Sequence, residues 1–159
     1  MDLSAVRILV VEDHRQMTEL IRSVLASLGC RSLEVAATVD EGWELLETCV
    51  FDLLIVDRNF QGADGLELVR RIRRPGGSPA AFLPILMLTG SAERSVVSAA
   101  RDAGVSEYLV KPFTVSSLVD RLNALIHRPR SFIHAERYFG PDRRRREDPA
   151  YQGLDRRRR

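Results

Sequence analysis

Apolar residues follow one another along this chain in two alternating rhythms. "AVRILVVED" gathers Val6, Ile8, Leu9, Val10 and Val11 into one short run before two acids, which predicts a buried strand. "HRQMTELIRSVLASLG" changes period. Met17, Leu20, Ile21, Val24, Leu25 and Leu28 recur at three and four, the stripe of a helix, and Gly29 stands where a left-handed cap would end it. "SLEVAAT" reads as a weaker second strand. "TVDE" is a capping box, with Thr38 as N-cap and Glu41 three residues on, opening a helix that buries Val39, Trp43, Leu46 and Val50. Asp52 to Asp57 form a third strand, and a loop with Gly62 and Gly65 leads to a helix with Leu66, Val69 and Ile72 on one face. "PGGSP" stops that helix. "LPILMLTG" is a fourth strand ending at Thr89, followed by a helix with Ser91 as N-cap and Gly104 just past its end. "SEYLVKP" is a fifth strand closed by Lys111 and Pro112. Thr114 caps a last helix, striped by Val115, Leu118, Val119, Leu122, Leu125 and Ile126.

Five strands alternating with five helices through short loops predict an α/β fold: a five-stranded parallel sheet with helices on both faces. Ligands and chemistry in such sheets sit at the carboxyl ends of the strands. Glu12 and Asp13 follow the first strand, Asp57 ends the third, Thr89 ends the fourth, and Lys111 and Pro112 follow the fifth. With strand order 2-1-3-4-5 these four strands are neighbours, and three carboxylates, a hydroxyl and an ammonium meet in one crevice. A second negative charge at about 4 Å costs roughly 4 kcal/mol at an effective dielectric near 20, so such a site raises a pKa or holds a cation. Oxygen donors with room for water suit Mg²⁺. A metal beside a lysine accepts a phosphoryl group, and an aspartate is a competent nucleophile toward one.

The ordered set Glu12-Asp13, Asp57, Thr89 and Lys111-Pro112 resembles the receiver domain of response regulators, the aspartate-phosphorylated half of two-component signalling. The likeness covers about residues 4 to 127. It implies the flavodoxin-like receiver fold, with Asp57 as phosphoacceptor, Asp13 as a direct Mg²⁺ ligand, and Glu12 acting on the metal through water or a longer reach. It further implies that Asn59 offers its backbone carbonyl to the metal, that Lys111 pairs with phosphoryl oxygens, and that Thr89 swings to hydrogen-bond them. Tyr108 then matches the family's switch aromatic, and the Lys111-Pro112 peptide is expected to be cis. The implied partner is a histidine kinase or histidine phosphotransfer protein, and the face of the fourth helix, fifth strand and fifth helix is a candidate homodimer surface. His14 lies beside the site but is not read as a phosphodonor, a role that belongs to a helical bundle.

Composition and charge change the picture in one place. Of 159 residues, 45% are hydrophobic and 29% charged, ordinary for a globular protein. No apolar run approaches the roughly 20 residues of a membrane helix, and the start lacks a secretory pattern. Cys30 and Cys49 have no metal-ligand spacing and read as reduced thiols of a cytoplasmic protein. The net charge of +2 conceals an asymmetry: residues 1–126 hold 13 Lys and Arg against 17 acids, and residues 127–159 hold 11 Arg against 5 acids. The expected division is a receiver domain at 1–127 and a basic Arg-rich tail at 128–159, disordered or extended, in which "DRRRR" occurs twice. "FGPDRRRR" is similar to an extension of some bacterial stand-alone receivers. The tail has no room for a helix-turn-helix effector. The leading expectation is a single-domain response regulator or phosphorelay carrier, not a metabolic enzyme, acting through protein contacts. The alternative is a receiver-fold adaptor whose tail binds an acidic partner, its own domain or a kinase included. Nucleic acid is a lesser option, because Tyr138, Phe139 and Tyr151 lack a folded platform.

Overall fold

The computed structural model describes residues 1–143 except Gly77, Pro79, Glu136 and Arg137. Five strands form one parallel sheet: β1 (Arg7–Val11), β2 (Ser32–Ala36), β3 (Leu53–Asp57), β6 (Ile85–Thr89) and β7 (Glu107–Val110). Their spatial order is β2-β1-β3-β6-β7, the expected 2-1-3-4-5 once two short strands in the loop after β3 are set aside. Those two, β4 (Asn59–Phe60) and β5 (Ala63–Asp64), pair antiparallel. Helices α1 (Arg15–Ser27), α2 (Val39–Thr48), α3 (Gly65–Arg73), α4 (Arg94–Ala103) and α5 (Val115–His127) complete the layers.

Strand alternation sends side chains to two cores. Leu9, Val11, Leu54, Val56, Ile85 and Met87 face α2, α3 and α4, where they meet Trp43, Leu46, Leu66, Leu68, Val69 and Ile72. Ile8, Val10, Leu53, Ile55, Leu86 and Leu88 face α1 and α5, meeting Ile21, Val24, Leu25, Leu118, Leu122 and Leu125. With both faces covered, the strands read as unbroken apolar runs rather than alternating ones.

Four local expectations need correction. Leu20, Val50 and Val115 are exposed. Helix α2 ends at Thr48, whose hydroxyl turns back to the Glu44 carbonyl at 2.8 Å, and Cys49 is extended, so the stripe stops before Val50. Ser91 does not cap α4. The helix begins at Arg94 behind Glu93, and the Ser91 hydroxyl accepts from the Glu93 N–H at 3.2 Å, a turn closed one step earlier. Thr38 and Thr114 do cap, accepting from Glu41 and Ser117.

Beyond α5 the described chain packs rather than trails. Strands β8 (Phe132–Ala135) and β9 (Tyr138–Pro141) pair as an antiparallel hairpin. Phe132 and Phe139 form an aromatic trio with Phe82 of the connection between α3 and β6, with ring centroids 5.1 to 5.8 Å apart. Arg73, 4% exposed, lies beneath the trio. It donates to the carbonyls of Ala81, Leu83 and Gly104, and its guanidinium stands 4.9 Å from the Phe132 ring. Burial pulls its pKa down to about 10, which leaves it charged at neutral pH. Arg130 pairs with Glu107 and Arg143 with Asp102, so two basic residues of the extension meet acids of the domain. The first DRRRR run from residue 144 onward and the whole of the second lie outside the described residues.

Candidate functional site

The sheet register brings the strand ends together. Glu12 stays tied to β2 by its N–H to the Ala36 carbonyl, so its side chain emerges at the crevice floor. That carboxylate is fully buried and both oxygens are engaged, one with the His14 N–H at 3.0 Å and the other with Lys111 Nζ at 2.9 Å. Glu12 therefore ties down the backbone at the entry to α1 and holds the lysine at once. Lys111 Nζ also lies 3.0 Å from Asp57 Oδ2. Its backbone N–H reaches the Thr89 carbonyl at 2.7 Å, and the Lys111-Pro112 peptide is cis.

Partial burial alone would lower the lysine's pKa. Hydrogen bonds and charge from Glu12 and Asp57 outweigh it, and the ammonium is held above its ordinary range. Asp57 is 2% exposed, and its Oδ1 has no hydrogen-bond partner. A buried carboxylate oxygen left bare costs free energy unless something positive meets it. Asp13, at the crevice rim, accepts from the Gln61 N–H at 3.2 Å and contacts His14 Nδ1 at 2.9 Å. One donor atom each from Glu12, Asp13, His14 and Asp57 falls within 4.8 Å of the others. Three carboxylates against one ammonium leave a local charge of about −2, which matches a dication in sign and size. The donor set and the bare Asp57 oxygen thus fit a hard divalent ion.

Thr89 is buried beside them, its hydroxyl exchanging long contacts with Ser91 at 3.3 and 3.4 Å. Asn59 sits at the exposed start of β4 with its side-chain nitrogen close to Gly90. Tyr108 lies in β7 beside Met87, half-buried against the core under α2 to α4.

The sequence places Gly65 in the loop after β3 but does not show what it does there, and it does not single out Asp64. Gly65 donates to the Arg58 carbonyl at 2.7 Å, and a Cβ there would run into the Asp57 carbonyl, so only glycine lets the chain close behind the aspartate. Asp64 caps α3 through the Leu66 N–H. Both lay in plain sight as "ADG", a turn signal, but nothing local said that the turn folds back under Asp57.

The family model for the response regulator receiver domain matches residues 8–123. The chain belongs to the response regulator receiver family. Chemotaxis protein CheY-3 of Vibrio cholerae is 32% identical over 122 residues, covering 77% of this chain and 92% of that protein. CheY of Pseudomonas aeruginosa is 33% identical over a stretch covering 77% and 97%. A putative response regulator from Chloroflexus aurantiacus superposes with a TM-score of 0.70 at 33% identity, covering 77% and 98%. The receiver domain of a sensor histidine kinase from P. aeruginosa, solved with magnesium coordinated in its active site cleft, gives 0.68 at 29%, covering 77% and 98%. This receiver is thus a CheY-like domain of two-component signalling. No helix among its described residues is long and apolar enough to cross a membrane.

Proposed function

We propose that this receiver accepts a phosphoryl group onto Asp57 from a phosphohistidine of a histidine kinase or phosphotransfer protein, and signals as a single-domain regulator through protein contacts. The observation that carries the reading is the asymmetry of the buried Asp57 carboxylate: Lys111 holds one oxygen and nothing holds the other. In the transfer a new Asp57 O–P bond forms as the donor's N–P bond breaks, and the departing imidazole keeps that electron pair. Asp13, Asp57 and the Asn59 backbone carbonyl would hold Mg²⁺, with Glu12 acting through water or a longer reach, and the bound ion would neutralise phosphoryl oxygens. Lys111 then shifts from Asp57 toward the phosphoryl group, and Thr89 exchanges its long Ser91 contacts for a charge-assisted bond. Tyr108 turns inward as Thr89 leaves, which alters the surface of α4, β7 and α5 that partners, a second copy included, would read.

Acetyl phosphate with Mg²⁺ should label wild type and leave Asp57→Asn unlabelled. Lys111→Ala should label weakly and lose the conformational response to beryllofluoride seen in amide NMR spectra. Unlabelled wild type would defeat the proposal. A wild-type-like response in the lysine variant would defeat its coupling step.

A further inference from the structure

We propose that His14 is a nitrogen ligand of the divalent-ion site, and that it tilts the site toward first-row transition metals over Mg²⁺. The inference rests on the metal-dependent reading of Asp57 and concerns which ion the crevice takes. His14 Nδ1 stands 2.9 Å from Asp13 Oδ1 and 3.4 Å from Glu12 Oε1. Adjacent donors around a six-coordinate ion with bonds of about 2.1 Å lie about 3.0 Å apart and opposite ones about 4.2 Å, so the 4.8 Å spread of this set closes with shifts of a few tenths of an ångström.

At 2.9 Å the Nδ1 contact to Asp13 is a hydrogen bond when the ring carries its proton on Nδ1, and a divalent ion bound there would take that proton's place. The Asp57 Oδ1 that has no partner, buried in the same crevice, independently asks for a cation. The ring is 67% exposed and touches the domain through Nδ1 on Asp13 and Glu12, so Nδ1 can turn onto an ion at the cost of those contacts alone. An oxygen-only site suits Mg²⁺, whereas imidazole strengthens binding of Co²⁺, Ni²⁺ and Zn²⁺. Of the three histidines, His127 ends α5 and His134 lies in the hairpin, so His14 alone is at the crevice.

The test is calorimetric titration of the full chain with Co²⁺ and with Mg²⁺, comparing wild type with His14→Ala and His14→Gln, alongside NMR of the histidine ring nitrogens. The expected result is a loss of at least about tenfold in Co²⁺ affinity in both variants, with Mg²⁺ affinity changed less than twofold. Co²⁺ should also shift the His14 ring signals strongly while those of His127 and His134 stay in place. Equal losses for both ions, no loss for Co²⁺, or unshifted His14 signals would overturn the assignment while leaving Asp57 phosphorylation standing. Wild type that binds neither ion would overturn both.

Discussion

Lys111 is the residue on which the crevice balances. Among the described residues its ammonium is the one Lys or Arg cation touching Glu12 and Asp57, and their hydrogen bonds hold its pKa above the ordinary 10.5. A base whose folded pKa is raised lends stability that is complete below its unfolded value and fades as pH climbs through the folded one. Wild type should therefore lose stability above pH 10.5 more steeply than Lys111→Met, in urea titrations across the alkaline range. The same charge count predicts that Asp57→Asn is stabilising. Removing one of three crowded carboxylates should add about 1–2 kcal/mol in EDTA, after allowing for the lost lysine partner. Mg²⁺ should then raise the melting temperature of wild type by mass action but leave the variant almost unmoved. The charged members of this site were legible because each closes an apolar strand, a position that sequence marks plainly. The double duty of Glu12 was not, since the partner that fixes its second oxygen lies 99 residues away.

Helix α4 is held unevenly along its length. Only Ala100 and Ala103 are buried, and its first turn has no side-chain cap. Its far end is fastened three times: by the left-handed Gly104, by Arg73 on the Gly104 carbonyl, and by Asp102 on Arg143. Hydrogen exchange should run at least about tenfold faster in residues 94–98 than in the last turn, and beryllofluoride should protect the early turn selectively. Uniform exchange along the helix would contradict this gradient. By contrast α2 is clamped at its start, so Thr38→Ala should cost about 1 kcal/mol in chemical denaturation. Element types were readable from period and caps. The start of α4 was misjudged because Ser91 looks like a cap, yet Arg94 stands three residues on where a capping box needs an acid or Gln.

Across the whole molecule, the C-terminal hairpin is an added piece of fold. Its strands are four residues each, too short for period-two alternation to stand out, and their partners Phe82 and Arg73 are 50 to 59 residues back. Truncation at residue 127 should lower the melting temperature and the urea m-value together, since both stability and buried surface go. Phe132→Ala alone should cost about 1–2 kcal/mol, because the ring is only partly covered. The connection from α3 to β6 and the stretch after α5 thus form a matched pair. A chimera that carried either one into a plain receiver would split the aromatic trio between Phe82 and the Phe132–Phe139 pair, so the two should be transplanted together or not at all.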